Sequence, residues 1–367
     1  MKLSKEPKIG FCTTTIYMPY FLEGFAKNFL KNKHKNIIFY IIGDKKTPNG
    51  VNNYITKLNK KYPYEFKYYD FSKVKKIYKQ FPRLAKLTKF GTGIMKFIAV
   101  YLSYLDNCDL NLHIDDDNFV LEKDYLSEAI KLTKASNFKL IKSQNGWFNI
   151  YRFLKEKNNK EFYPRAYPWS KRDKKSHSKI IMKRIEPIFF NGSVFGDPDI
   201  DAITRLYTKI QVTGFKNKKI EQYGLFPGTW TSFNNQNSGM IRDLIPVYFT
   251  PFSTGRNADI WGSYMICKIA EIHKKTIFFG KPVVTQLRNP HNLWKDLMLE
   301  YQNDYMTDKF VHILKALKVT KQKNYLLTCK QICAKAIKII KKEKISKTDK
   351  NYLLNFFYEY QKWNNLF

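Results

Sequence analysis

One stretch limits the fold more than any other. Residues 36–43, NIIFYIIG, are apolar almost without interruption, and the breakers Pro48, Asn49 and Gly50 follow closely. The run is far too short to span a membrane and lacks the alternation of a half-exposed strand. It predicts a strand covered on both faces, as in a parallel sheet with helices on either side. The neighbouring segments agree. Lys8–Thr14 reads as a first strand, Pro19–Leu30 as a helix and 51–61 as another. Tyr64–Tyr69 reads as a short strand, Gly93–Leu105 as a helix and Asp109–Ile114 as a strand. A helix from Lys123 to about Thr133 and a strand at Phe138–Ile141 continue the alternation. This pattern predicts an α/β fold with a mostly parallel sheet flanked by helices.

The second half reads less regularly. Residues 154–184 are polar and basic and predict a long loop. Ile188–Phe195 reads as a strand, and Asp197–Ile210 as a helix opened by Asp197 and Pro198. Pro246–Thr250 reads as a strand, Ala258–His273 as a helix and Thr276–Phe279 as a strand. Past residue 289 the pattern is helical, and residues 315–350 hold 12 Lys against Glu343 and Asp349. The expected organisation is a domain over 1–290 and a helical, basic region over 291–367.

Composition narrows the function classes. With 44% hydrophobic and 16% aromatic residues, the chain can bury a core and is not disordered throughout. The start of the chain has no signal-peptide apolar region, so a cytoplasmic location is expected. Cys12, Cys108, Cys267, Cys329 and Cys333 form no CxxC pair, which argues against a zinc site or disulfide framework. Lys and Arg total 65 against 31 Asp and Glu, a formal net charge of +34. That excess fits nucleic acid, anionic lipid or a nucleoside diphosphate as partner, or a compositional bias toward lysine. The basic residues are spread along the chain without a nucleic-acid-binding motif, so no specific nucleic acid is expected.

The sharpest chemical signal is LHIDDDNFV, residues 112–120. Three carboxylates follow an apolar strand, at the edge where open α/β sheets bind ligands. Adjacent acids repel unless a cation or donors compensate. Mg2+ or Mn2+ takes carboxylate and phosphate oxygens together, so Asp115 and Asp117 are expected to bridge an ion to a diphosphate. A turn with an Asp cap is the plainer use of the same residues. Thr13, Thr14 and Thr15 end the first strand, and Gly43-Asp44-Lys45-Lys46 ends the second. On that shared edge, hydroxyls and Asp44 suit a base and ribose, and Lys45 or Lys46 suits phosphate.

These segments resemble a known family. IGFCTTTI, IIGDKKTP and LHIDDDNF are similar to the nucleotide-diphospho-sugar transferase (GT-A) fold, and GDKKTP is close to its STELLO-type members. YPWSKRD at 167–173, GDPDIDAITRL at 196–206, GLFPGTWTSFNNQNSGMIRDLIP at 224–246 and GRNADIWGSYM at 255–265 resemble the reversibly glycosylated polypeptides, the UDP-arabinopyranose mutases. The likeness covers about residues 8–300. It implies a UDP-sugar donor, Mn2+ or Mg2+ at the DXD acids Asp115 and Asp117, and Asp116 in the donor site. It also implies Arg172 at the position glycosylated in the mutases. Two departures stand out: Ala258 precedes Asp259 where the mutases have a second Asp, and NNQN replaces their CGMN-type segment.

Within that resemblance, Asp259 suits a general base or a helix cap. Trp261 suits a sugar-stacking platform or the core. His291 suits a metal ligand or a surface role. His113 is expected to alternate away from the metal side. Lys171, Arg172, Lys174 and Lys175 suit a basic loop that neutralises a leaving diphosphate. In residues 325–342, Leu326, Leu327, Ile332, Ala336, Ile339 and Ile340 form an apolar stripe bordered by lysines. Such a helix lies either on an anionic membrane surface, making the protein peripheral, or against the catalytic domain. The expected function is metal-dependent sugar transfer from a UDP-sugar to a glycan or lipid-linked acceptor. A mutase acting through Arg172 and a polyanion-binding protein are the alternatives.

Overall fold

The computed structural model describes residues 6–80, 92–172, 177–288 and 291–367. The first part alternates as the pattern requires: β1 (Ile9–Thr15), α1 (Phe21–Lys31), β2 (Ile37–Gly43), α2 (Val51–Lys61) and β3 (Glu65–Tyr69). Then come α3 (Phe71–Gln80), α4 (Thr92–Leu105) and β4 (Leu110–Ile114). These strands pair in parallel in the order β3-β2-β1-β4. All seven residues of β2 are buried, as an apolar run without alternation demands. On one face Phe11 and Phe39 pack with Phe25 and Phe29 of α1, at positions four apart on one helix stripe. On the other face α4 approaches β1 so closely that a Cβ at Gly10 would lie 2.7 Å from Ser103 Cβ.

The remaining elements are β5 (Asn118–Val120), α5 (Tyr125–Lys131), β6 (Ser136–Ser143), β7 (Leu154–Glu156), β8 (Ser178–Ile185) and β9 (Pro187–Gly196). They continue with α6 (Ala202–Tyr207), β10 (Val212–Phe215), β11 (Gln222–Leu225), β12 (Asn237–Ile241), α7 (Ala258–His273) and β13 (Thr276–Gln286). Among the described residues the sheet has 13 strands, and its main path runs β3-β2-β1-β4-β12-β9-β13-β11-β6-β8. The expected parallel order is unbroken only as far as β4, although β9–β13 and β11–β6 are again parallel. Past β4, β12 enters antiparallel to both β4 and β9, and β11–β13 and β6–β8 are antiparallel as well.

Three segment expectations are corrected. Residues 154–184 are not one loop: 178–185 form edge strand β8, with Ile180 and Met182 largely exposed. Lysines guarding an exposed edge hide the strand period. The expected helix over 197–210 begins only at Asp201, whose carboxylate caps it by accepting from Thr204 N at 2.7 Å. Asp197 is drawn outward instead to Arg205 and Arg288. Residues 246–250 are not a strand; a 3-10 turn spans Arg242–Val247.

The chain ends in α8 (Leu293–Ala316), α9 (Tyr325–Lys342) and α10 (Lys347–Asn364). The donors of α10 satisfy the carbonyls of the irregular 245–249 segment: Trp363 Nε1 bonds Ile245 O, Asn364 Nδ2 bonds Pro246 O and the Tyr360 hydroxyl bonds Phe249 O. All three helices enter the core that covers one face of the sheet. In the 325–342 stripe, Ile332, Ala336 and Ile340 are fully buried there. Part of the apolar stripe offered to a membrane by the sequence reading is therefore used in packing, whereas Leu327 is exposed, as are Lys335, Lys338, Lys341 and Lys342. No helix among the described residues is long and apolar enough to cross a membrane. All five cysteines are buried and free.

Candidate active site

The ends of β1, β2 and β4 open into a cleft of about 700 Å³. Parallel pairing with Cys12 opposite His113 and Thr15 opposite Gly43 brings the three strand ends level. Thr14, Thr15 and Asp44 line the cleft. Thr47 ties two of these loops together, accepting from Asp44 N at 2.7 Å and donating to Thr15 O at 2.6 Å.

Each of the three adjacent acids has its own environment. Asp115 Oδ1 accepts from Lys96 Nζ at 2.8 Å, and His113 Nε2 is 3.6 Å away. Burial alone would raise the Asp115 pKa, but Lys96 and His113 hold it below the usual carboxylate range. Asp116 Oδ2 accepts from Ile16 N at 3.1 Å, and burial still leaves its pKa raised. Asp117 Oδ2 accepts from Gln286 Nε2 at 2.8 Å, whereas its buried Oδ1 has no hydrogen-bond partner. Burial, with Asp115 adding repulsion, pushes Asp117 up to about 6. His113 does not alternate away from this group. Positions 113 and 115 are two apart and therefore share a face.

Asp259 faces the same cleft from the first turn of α7. The α7 N-cap position is Asn257, and no side-chain cap bond forms there. Asp259 instead lies 3.5 Å from Arg165 NH2, which also pairs with Asp199 at 3.1 Å. Burial raises the Asp259 pKa, and Arg165 opposes the rise without cancelling it. Helix α8 joins the network through Glu300, which accepts from Arg256 Nε at 2.8 Å and from Ala202 N at 2.8 Å. Arg288 closes the far side, donating to Gln286 Oε1 at 3.1 Å and forming an ion pair with Asp197 Oδ2 at 3.1 Å.

The fold thus gathers Thr14, Thr15, Asp44, Asp115, Asp116, Asp117, Asp259 and His291 around one cleft. His291 reaches it with Nδ1 held 3.2 Å from Asp296. Six expected site residues are placed elsewhere. Thr13 is fully buried and does not line the cleft. Lys46 is exposed outside it, and Lys45 lies over the Phe71 ring. Trp261 is fully buried, stacked on Phe310 at 4.1 Å with its Nε1 bonded to Thr307, so no sugar ring can reach it. Arg172 does not line the cleft: its NH2 is 2.9 Å from Asp201, and its guanidinium lies 3.6 Å over the Trp169 ring. Lys171 is likewise outside the cleft lining, and Lys174 and Lys175 fall outside the described residues.

Sequence reasoning missed Lys96, Arg165, Asp199, Gln286 and Arg288. For Lys96 a signal existed: a lone lysine inside MKFIAV, on an apolar helix, must find a partner. Arg165 and Arg288 lie in segments without periodicity, Asp199 in the span read as a helix and Gln286 at the end of β13.

Among the described residues the cleft lining holds six carboxylates (Asp44, Asp115, Asp116, Asp117, Asp199 and Asp259) against Lys96, Arg165, Arg256 and Arg288. In a chain of net charge +34 this is an acidic island. Among the described residues no three His, Cys, Asp or Glu side chains are grouped to enclose a metal ion. The unpaired Asp117 Oδ1 nevertheless fits one hard cation. Such ions are often held by one or two carboxylates, with water and substrate phosphate completing the shell.

No protein-family model matches the sequence, and no curated protein is similar to it. Among solved structures the chain is similar to mannosyltransferase PcManGT from Pyrobaculum calidifontis in complex with GDP-Man and Mn2+. That likeness has 8% identity and a TM-score of 0.41, over 98% of this chain and 88% of the other. At so low a TM-score it carries no argument for this chain.

Proposed function

We propose that the protein is a metal-dependent glycosyltransferase of GT-A-like architecture, moving a sugar from a nucleoside-diphosphate donor, a UDP-sugar, to a glycan or lipid-linked acceptor. One observation carries the reading: the acid triplet ends a buried strand and faces Asp259 across a cleft bordered by the β1 and β2 ends. Strand ends of this kind receive nucleotides in open α/β sheets. Thr14, Thr15 and Asp44 are assigned to the base and ribose. Asp117, with its open Oδ1, is assigned to Mn2+ or Mg2+, and His291 borders that region. A bound ion supplies charge neutralisation for the donor diphosphate.

The chain's own part of the reaction follows from Asp259. An acceptor hydroxyl gives its proton to the Asp259 carboxylate as the new bond to the anomeric carbon forms. The bond from that carbon to the diphosphate oxygen breaks, and the nucleoside diphosphate leaves. A carboxylate raised by burial is a better proton acceptor near neutral pH than an exposed one. Arg165 keeps it oriented. Arg172 is engaged by Asp201 outside the cleft, which favours transfer over mutase chemistry. We assign residues 1–290 as the catalytic domain and 291–367 as the helical basic region. We also assign a cytoplasmic setting, with exposed lysines of α9 available to an anionic surface.

A donor screen tests this reading. UDP release from a panel of UDP-sugars with Mn2+, followed by NMR of the product anomer, should find at least one donor consumed in an acceptor-dependent way. Release from none, with GDP-sugars equally inert, would overturn it.

A further inference from the structure

Lys96 carries the observation that the proposed function has not used. Around it on α4, Met95, Phe97, Ile98, Ala99 and Val100 are buried. A lysine held among such neighbours is there because something binds its charge. Its ammonium is 2.8 Å from Asp115 Oδ1 and 3.4 Å from Asn235 Oδ1. An ammonium has three N–H donors, so these contacts leave one, and Lys96 lines the cleft beside Asp116 and Asp259.

The other described cations of the cleft are arginines paired with carboxylates. Arg165 pairs with Asp199 and Asp259, Arg256 with Asp296 and Glu300, and Arg288 with Asp197 and Gln286. Each of these guanidiniums is already held by a carboxylate, although Arg165 Nε and Arg288 Nε are buried without a hydrogen-bond partner. Lys96 is a point charge on a flexible stem, able to turn without breaking a fork. It also stands at the acid triplet, where an entering diphosphate meets the greatest concentration of negative charge.

We propose that Lys96 is a donor-binding residue. Its ammonium holds Asp115 while the cleft is free and turns to the diphosphate of an entering nucleotide. The division of labour in the triplet follows. Asp115 positions Lys96, and Asp117 is left as the carboxylate for the ion. The assignment rests on the proposed donor class, a nucleoside diphosphate.

Calorimetric binding of UDP, with chelator and again with Mn2+, tests it in the full-length protein. K96Q should weaken UDP binding in chelator by about tenfold, and K96R should keep most of the affinity. Mn2+ binding without nucleotide, followed by EPR, should be no weaker in K96Q than in the parent. If the parent binds UDP only with Mn2+, the same comparison is made there. A K96Q loss below about threefold would overturn the assignment. D115N is the second variant, needed if K96Q does not fold. By releasing Lys96 it should tighten UDP binding in chelator, and weaker binding would count against the proposal. Sugar turnover is scored separately. A parent protein that binds UDP through Lys96 but consumes no sugar donor removes the transfer reading and leaves this one standing.

Discussion

Asp117 and Asp259 are both carboxylates raised by burial, yet they are suited to different work. Asp117 keeps one oxygen bonded to Gln286 and the other open. Its pKa of about 6 means that lowering the pH protonates the site. Mn2+ affinity measured by EPR should therefore fall as pH drops through about 6, and D117N should abolish it. The same shift has a stability consequence with a definite sign. Because the folded pKa lies above the unfolded one, the protonated form favours folding, and that contribution is lost as pH rises through about 6. D117N should then raise the melting temperature more at pH 8 than at pH 5, by at most about 3 kcal/mol of stability. Asp259 is argued as a proton acceptor. D259N should lower turnover by about 10²–10⁴-fold while UDP binding stays near the parent value. Equal turnover would return Asp259 to a purely structural role beside Arg165. The three acids were legible because they follow an apolar strand. Lys96 showed only as a lone lysine in an apolar helix, and Arg165 and Arg288 not at all, because their partners come from segments 19 to 94 positions away.

At the scale of elements, α9 was ambiguous in a way that periodicity could not resolve. An amphipathic stripe looks the same whether it faces lipid or protein. Here Ile332, Ala336 and Ile340 of α9 are fully buried, and in the neighbouring α10 Phe356 packs on Trp261 and Phe310 while Trp363 stacks on Phe249 at 5.0 Å. F356A should cost about 3–5 kcal/mol, read by denaturant unfolding. Neutralising Lys338, Lys341 and Lys342 together should leave the unfolding midpoint nearly unchanged, since they are exposed. Removing residues 320–367 should leave an insoluble product, because it strips one side of the core. A soluble, cooperatively folding truncation would show that these helices are dispensable. Strand β8 escaped the sequence reading for the opposite reason: its apolar residues Ile180 and Met182 point to solvent, so burial offers no pattern.

For the molecule as a whole, charge is distributed against the average. The surface follows the net +34, but the cleft carries more carboxylates than cations. A polyanion is attracted to the exterior and repelled from the cleft. RNA or heparin binding should therefore be broad and fall steeply with salt. It should not displace UDP at 0.2 M salt, on the order of the physiological ionic strength. Competition between RNA and UDP for one site would contradict the separation of surface and cleft charge.

What the sequence determined by itself is local. The β–α alternation through Ile114, the acids at a strand end and the span Ala258–His273 all follow from runs and periods visible within a few residues. The tertiary structure decided what depends on distant partners. It turned Trp261 into the core, tied Arg172 to Asp201 and set Lys96 against Asp115. It also inserted β12 antiparallel beside β4, which ended the parallel order. Apolar runs and helical periods are properties of contiguous residues. Ion pairs, strand direction and the covering of a stripe depend on groups that meet only when the chain has closed on itself.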